Sequence, residues 1–344
     1  MQSKFKFKND KIEPPENYLG ARVRYKEVDG FWMWTISSVD YVKAAVKNVK
    51  DGIEKKRWKL PSNPDTPMAT SYTPELDETP ELNDDDRTYY QELIGILRWA
   101  TELGRVDILH EVSILSQYQA CPRDGHMQQL LRIFSFLGRY PKMSIYMDYR
   151  RPDLSSTQQR STQEEFRRYY RDAEEELPRR MPVPKGEPVV ITVWVDASHA
   201  ANKKTRKSHT GYIIFVNCAP IIWYSKRQNT VEASTFGSEF IAMKSSVEAV
   251  TYLRYKLRMF GIPLEKNEPA HVICDNESVV NNSTLVESTL NKKHNSIAYH
   301  YVRWNVAAGV IRVSWIPSGE NLSDPLTKRL GHEQRDYLFG GWTY

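Results

Sequence analysis

The order of apolar runs in the second half of the chain restricts its fold more than any other feature. Three runs come in quick succession, VVITVWV (189–195), GYIIFV (211–216) and PIIWYS (220–225), and the turn between the last two is very short. Short runs rich in β-branched and aromatic residues predict β-strands, and the short turn predicts a hairpin. Since VVITVWV is apolar throughout, it is expected to be buried on both faces of a sheet.

The chain after these strands alternates between helical and strand-like patterns. In order, the elements are a long helix from about Ser234 to Phe260, a strand at 271–274, a helix after CDNESVV, a helical stretch at 296–308, a strand at 310–316 and a last helix near Pro325. This order, β-β-β-α-β-α-β-α, predicts an α/β domain over residues 189–332, built on a mixed five-stranded sheet with flanking helices.

The first half of the chain is predicted to be mostly helical and interrupted by polar segments. In YQELIGILRWATEL, apolar residues recur at the i, i+3, i+4, i+7 spacing of an amphipathic helix. The predicted segments are the end of a domain whose beginning is missing (1–60), a linker (61–87), a small helical module (88–150), a charged linker (151–188) and, after the α/β domain, a C-terminal tail (333–344).

Composition bounds the class of protein. A chain of 344 residues is long enough for two domains. It contains no apolar run near the roughly 20 residues of a membrane helix and no N-terminal signal pattern. Three scattered cysteines match no metal-binding spacing and suit a reducing compartment. We therefore expect a cytoplasmic location, with a virus-like particle or the nucleus as alternatives, and no membrane partner.

The net charge of +5 is spread unevenly along the chain. Basic clusters occur at KFKFK, NKKTRK, SKRQ and NKKH, and acidic runs at ELDETPELNDDD and DAEEEL. Clusters of this kind permit nucleic-acid binding, although a solvated face is the simpler explanation of any one of them.

Four acidic residues occupy similar places in the predicted elements. Asp196 ends the first strand, Glu239 lies early in the long helix, Asp275 follows the fourth strand and Asp324 precedes the last helix. Helix or turn capping also explains Asp275 and Asp324, and the helix dipole explains Glu239. Asp196 is harder to explain, because an unpaired carboxylate beside a core strand costs several kcal/mol.

Taken together, the four carboxylates predict a metal site. Sites in α/β sheets gather at strand ends, and two of these acids follow strands expected to be neighbours. Carboxylates crowded there repel each other unless a cation binds them. Oxygen ligands favour Mg²⁺, or Mn²⁺ as the alternative, and a pair of such ions suits phosphodiester hydrolysis.

Several motifs resemble a known family in their order and spacing. VDASHA, TRKSHTGYIIFVNCAPIIWYSKRQNTVEASTFGSEFIAM, CDNESVV, KKHNSIAYHYVR and ENLSDPLTK resemble the ribonuclease H domain of copia-type retrotransposon polyproteins. Upstream, YLGARV, TPMATSYTPEL and YYQELIGILRWATELGRVDILHEVSILSQY resemble the thumb and connection segments of the reverse transcriptase in the same polyproteins. The resemblance covers nearly the whole chain.

The resemblance implies a ribonuclease H-like fold and hydrolysis of the RNA strand of RNA–DNA hybrids, with two Mg²⁺ ions as cofactors and no small-molecule substrate. It assigns metal binding and catalysis to Asp196, Glu239, Asp275 and Asp324. It suggests nucleic-acid contacts at Ser225, Lys226, Gln228, Ser234, Asn276, Lys293 and His294. Capping and local hydrogen bonding remain equally good explanations for each of these seven.

The chain departs from the family pattern in two places. A polymerase motif with paired aspartates in an apolar hairpin is absent, because the only Asp run, NDDD at 83–86, lies in a polar segment. We therefore expect the chain to begin after the polymerase palm, to lack polymerase activity on its own, and to have the upstream palm and fingers as a missing partner. Many cellular ribonucleases H also place a histidine before the last aspartate, whereas PSGENLSD contains none.

Two alternatives belong to other functional classes. One is an inactive remnant of the element that acts at most as a nucleic-acid-binding module. The other is a transposase or integrase, which would need a further glutamate on a helix near position 310. Residues 307–312 contain no acid, which argues against the second alternative.

Overall fold

The structure is a computed structural model that describes residues 14–54, 56–159, 163–265, 268–290 and 295–343. Within these residues the chain forms a four-stranded antiparallel sheet and a six-stranded mixed sheet, each with helices packed against it. None of the described helices has the length and apolar character needed to cross a membrane.

The smaller sheet joins strands from both ends of the first half of the chain. Its strands are β1 (Asn17–Tyr18), β2 (Ala21–Val28), β3 (Phe31–Ser37) and β4 (Ser144–Met147), in that spatial order. The turn between β2 and β3 is made by Asp29 and Gly30, with φ values of 50° and 81°. Two positive φ values match the hairpin turn whose twist suits paired strands. The segment PKMSIYMDY (141–149) contributes β4.

Four helices of the first half share one hydrophobic core. They are α1 (Val39–Ile53), α2 (Asp84–Glu102), α3 (Leu109–Leu115) and α4 (Asp124–Arg139). Val42, Leu97 and Phe134 are fully buried in this core, which also contains Met68 and Leu82 from the predicted linker at 61–87. The predicted segments 1–60, 61–87 and 88–150 therefore pack as one body, because each contributes apolar side chains to the same interior.

The mixed sheet has the predicted architecture. Its strands are β5 (Gln158–Gln159), β6 (Ile191–Ser198), β7 (His209–Val216), β8 (Ala219–Arg227), β9 (Ala270–Cys274) and β10 (Ile311–Trp315). The spatial order is β5-β10-β9-β6-β7-β8, with β9 parallel to both β6 and β10 and with β6, β7 and β8 antiparallel. The predicted mixed five-stranded sheet is confirmed, and the two-residue β5 extends it at one edge.

Helices cover the mixed sheet at the predicted places, with one exception. They are α5 (Gln163–Arg167), α6 (Thr235–Met259), α7 (Glu277–Thr284), α8 (Ser296–Ala307) and α9 (His332–Gly340). The prediction of a helix starting near Pro325 is wrong, because Asp324–Leu326 is a single 3-10 turn. The turn ends at Thr327, whose backbone is not helical and whose hydroxyl donates a hydrogen bond to the side chain of Asp196. In the predicted tail, Phe339 and Trp342 are buried.

The segment predicted as a charged linker, 151–188, packs against α6 and α8. Its Phe166 side chain is fully buried. Glu175 accepts hydrogen bonds from Arg254 Nε at 2.7 Å and from Arg258 Nη1 at 2.6 Å. Burial raises the pKa of Glu175, but the two arginines outweigh it and hold that pKa below its usual value. The charges of this segment therefore attach it to the α/β domain.

The two halves of the chain meet through a separate hydrophobic cluster. Val106 and Ile145 from the first half pack there with residues of β7, the 3-10 turn and α9. A buried ion pair joins Arg335 Nη1 to Glu111 Oε1 at 3.2 Å, and Trp223 Nε1 donates to the Thr101 carbonyl at 3.1 Å. The contact between the halves is thus both apolar and specifically hydrogen-bonded.

Candidate metal centre

Asp196 and Asp275 lie at the carboxyl ends of two neighbouring parallel strands. Asp196 lies near the end of β6, and Asp275 directly follows β9, which pairs with β6 in parallel. The 3-10 turn with Asp324 approaches β7 at Gly211, where an added Cβ would lie 2.6 Å from Thr327 Cγ2. Only glycine allows this close approach.

Three of the predicted ligands converge on one point. Asp196, Asp275 and Asp324 each offer a carboxylate oxygen, and these oxygens lie within 4.8 Å of one another. Asp275 also belongs to a second group with Glu239 and the Cys274 thiol, which has the same spacing limit. Asp196 is 1% exposed, Asp324 4% and Glu239 5%, so most of this negative charge is buried. The predicted gathering of the four acids is present in the structure.

A lysine that the sequence analysis did not single out contacts two of these acids. Lys328 Nζ lies 3.0 Å from Asp324 Oδ1 and 3.3 Å from Asp196 Oδ2. The hydroxyl of Thr327 also donates a hydrogen bond to Asp196. The i, i+4 spacing of Asp324 and Lys328 in DPLTK could have indicated this contact from the sequence, because residues with that spacing can meet across one helical turn.

One lysine does not neutralise the cluster. Burial, only partly offset by Lys328, raises the pKa of Asp196. Burial and the neighbouring Asp196 raise the pKa of Asp324 to about 6, and burial with the nearby aspartates raises that of Glu239 well above its usual value. Although burial lowers the pKa of Lys328, the carboxylates outweigh it and raise that pKa overall. The ionised form of these carboxyl groups is therefore disfavoured despite Lys328, and a further cation among them would favour it.

The donor set fits a hard divalent cation. Glu239 Oε2 is buried and has no hydrogen-bond partner among the described residues, so this oxygen is available as a ligand. Carboxylate oxygens are the ligands that Mg²⁺ and Mn²⁺ prefer. The Cys274 thiol is fully buried, and burial raises its pKa well above the usual value, which disfavours the thiolate that soft metals require.

The structure shows local roles for the residues predicted to contact nucleic acid. The Ser225 hydroxyl donates to the Leu326 carbonyl at 2.7 Å, and buried Gln228 donates to the Ser238 carbonyl at 2.8 Å. Ser234 caps α6, and Asn276 caps α7 by accepting from the Val279 amide at 3.1 Å.

Among the same predicted contacts, Lys226 is exposed on β8. Lys293 and His294 lie outside the described residues. The nucleic-acid role of all seven residues stays a prediction.

Comparison with known proteins finds similarity to polyproteins of transposons. The retrovirus-related Pol polyprotein from transposon RE1 of Arabidopsis thaliana is 27% identical over 265 residues, covering 77% of this chain and 15% of that polyprotein. The corresponding polyprotein from transposon TNT 1-94 of Nicotiana tabacum is 25% identical over 240 residues, covering 70% of this chain and 15% of its own length. The chain thus spans about 15% of the length of these curated relatives.

Solved structures give a weaker comparison. LC11-RNase H1 in complex with an RNA/DNA hybrid is 14% identical and covers 40% of this chain and 93% of its own, with a TM-score of 0.32. No family model matches the chain. The motif resemblance found in the sequence is nevertheless confirmed by the curated relatives: the homologues of this chain are retrovirus-related Pol polyproteins of copia-type transposons.

Proposed function

We propose that this chain hydrolyses the RNA strand of RNA–DNA hybrids, with two Mg²⁺ ions, or Mn²⁺ in their place, bound by the four carboxylates. The observation that carries the proposal is the convergence of Asp196, Asp275 and Asp324 oxygens within 4.8 Å, beside the unpartnered Glu239 Oε2. The motif resemblance to ribonuclease H and the homology to transposon Pol polyproteins support this substrate over other phosphodiesters.

The chain's own residues supply a rigid ligand frame. Asp196 and Asp275 are fixed by the parallel pair β6 and β9, and Glu239 by the first turns of α6. Bound divalent ions would polarise a water molecule and stabilise the leaving oxygen of a phosphodiester. Thr327 orients the Asp196 carboxylate through its hydroxyl, and Lys328 balances part of the cluster's charge.

The test uses the full chain and a hybrid whose RNA strand is end-labelled. With millimolar Mg²⁺ we expect shortened RNA and intact DNA, and no cleavage with EDTA. Asp196→Asn should reduce cleavage to background because it removes a central ligand, while circular dichroism remains unchanged. Asp172→Asn changes an exposed aspartate on the charged segment and should cleave like the unmodified chain.

Absence of cleavage at micromolar protein would contradict the proposal. Binding of the hybrid without cleavage would then leave the alternative of an inactive nucleic-acid-binding remnant.

We also propose that the chain does not extend a primer on its own and acts beside an upstream palm and fingers. Its only Asp run, Asp84 to Asp86, forms the first turn of α2 behind the Asn83 cap, and no apolar hairpin presents these carboxylates. A primer-extension assay with the full chain and deoxynucleotides should show no added nucleotides. Extension above background would contradict this proposal without affecting the first.

A further inference from the structure

A cleft of about 290 Å³ lies between the two halves of the chain, next to the candidate metal centre. Glu75 and Tyr118 line it from the first half, and Lys207, Arg227 and Arg329 from the second. We call it the basic cleft. Because Thr327 and Lys328 line it as well, and both contact Asp196, the basic cleft adjoins the carboxylate cluster.

The charges of the basic cleft are unbalanced. Four cations line it, and one of them, Lys328, is already paired with Asp196 and Asp324. The other three, from Lys207, Arg227 and Arg329, share the lining with one acid, Glu75. The Glu75 carboxylate is itself engaged, since its Oε1 accepts a hydrogen bond from the Lys203 amide at 2.7 Å.

In the part of the chain that the structure describes, three of these cations, Lys207, Arg227 and Arg329, form no ion pair. Arg329 Nη1 is also buried without a hydrogen-bond partner there. The Arg329 guanidinium is attracted to the buried Glu111 carboxylate, but its Nη1 makes no hydrogen bond there. This nitrogen can therefore still donate to an anion supplied from outside the chain.

Two buried histidines complete the wall of the basic cleft without adding charge. His110 of α3 and His209 of β7 pack edge to face, with ring centroids 4.8 Å apart. Burial lowers the pKa of both rings, so both are neutral at physiological pH. The positive charge of the basic cleft therefore comes from lysine and arginine alone and does not change near neutral pH.

We propose that the basic cleft binds backbone phosphates of a nucleic-acid strand that continues from the candidate metal centre. This inference rests on the proposed function, because it assumes a polynucleotide at the carboxylates. Guanidinium groups suit phosphate oxygens, to which they can donate two parallel hydrogen bonds. A nucleic-acid strand bound in the basic cleft would contact both halves of the chain. These contacts would position its scissile bond at the carboxylate cluster.

The experiment measures binding of a fluorescent RNA–DNA hybrid to the full chain in EDTA, where no cleavage occurs. Arg227→Ala should weaken binding about tenfold and reduce the slope of log affinity against log salt by about one, because one phosphate contact is lost. Arg329→Ala should do the same. Arg180→Ala changes an exposed arginine outside the basic cleft and should leave both affinity and slope unchanged.

Unchanged affinity and slope in Arg227→Ala would overturn the proposal, and this partly exposed residue decides the question even if Arg329→Ala does not fold. Inorganic phosphate should displace the hybrid more than chloride does at equal ionic strength, and this difference should shrink in Arg227→Ala. A difference that is the same in Arg227→Ala and the unmodified chain would place the phosphate contacts outside the basic cleft. Binding through the basic cleft without any cleavage in Mg²⁺ would refute the proposed function alone. Cleavage with unaffected binding in both variants would refute the basic cleft alone.

Discussion

At the scale of single residues, Asp196 shows how a charge is kept in a strand that is buried on both faces. Its carboxylate accepts from the Thr327 hydroxyl and lies 3.3 Å from Lys328 Nζ. The lysine side chain is 38% exposed, so solvent weakens this attraction. A single partly exposed ammonium therefore serves a cluster of several buried acids, and a divalent cation competes with it for the same oxygens.

Lys328→Met should lower the stability of the metal-free chain by about 2 kcal/mol, since it leaves buried carboxylates without their cation. Added Mg²⁺ should then raise the unfolding temperature more in this variant than in the unmodified chain, because the ion no longer competes with the ammonium. Thermal unfolding followed by circular dichroism, with and without Mg²⁺, measures both effects.

The matched control for Lys328 is Lys244→Met. Lys244 also pairs with an acid at i, i+4, namely Glu248 at 2.7 Å, but the Glu248 side chain is 49% exposed, whereas Asp196 and Asp324 are buried. Its loss should change stability by less than about 1 kcal/mol and should not alter the response to Mg²⁺. An equal Mg²⁺ response in Lys328→Met and the unmodified chain would show that the lysine does not compete with the ion.

At the scale of elements, the junction of α3 with the mixed sheet depends on neutral histidines. His209 of β7 is buried against His110 of α3, and its Nε2 lies 2.8 Å from the Ser225 hydroxyl. Burial, with a contribution from Arg227, lowers the pKa of His209 from 6.5 to about 3. Because the folded pKa lies below the unfolded one, stability from this group is complete above pH 6.5 and is lost as the pH falls toward 3.

Between pH 7 and pH 5, His209 alone should reduce the free energy of unfolding by about 2 kcal/mol, since the unfolded chain takes up the proton that the folded chain excludes. His209→Gln keeps a hydrogen-bonding group near Ser225 but does not titrate. Its loss of stability over the same pH range should be smaller by about that amount. Urea unfolding at both pH values tests this, and equal losses in the two proteins would argue against a neutral, buried His209.

At the scale of the whole molecule, the two halves of the chain are joined by an ion pair that solvent does not reach. Arg335 is 4% exposed and Glu111 2%, and Arg335 also donates to the Asp107 carbonyl. Burial raises the pKa of Glu111, and the attraction of Arg335 opposes this. Breaking such a pair leaves a buried charge uncompensated, whereas replacing both partners removes that cost.

Arg335→Met should therefore destabilise the chain by about 3 kcal/mol, and Arg335→Met combined with Glu111→Leu should recover most of this loss. Because the halves also share a hydrophobic cluster, we expect tryptophan fluorescence and circular dichroism to report one common unfolding transition in the unmodified chain. A double variant no more stable than Arg335→Met would show that the charge pair is not the main interaction at this interface.

Sequence patterns were sufficient for the elements of the α/β domain. The three successive strands, the long helix capped by Ser234 and the alternation that follows appear in the structure, except that the last helix begins at His332 and not near Pro325. The four carboxylates were identified for the same reason, since acids at strand ends and helix starts stand out against apolar runs. These signals are local, and periodicity and capping depend on neighbours within a few residues.

Packing across long sequence separations was decided only by the tertiary structure. Residues 61–87 and 151–188 were predicted to be linkers because they are mostly polar. Their buried side chains, such as Met68 and Phe166, are isolated in the sequence and form no periodic apolar pattern. Lys328 and the basic cleft were missed for a related reason: the pairing of Lys328 with Asp196, and of α3 with β7, joins residues more than ninety positions apart. The sequence by itself determined which acids are available, whereas the three-dimensional packing determined which cations surround them, because electrostatic partners are set by distance in space and not along the chain.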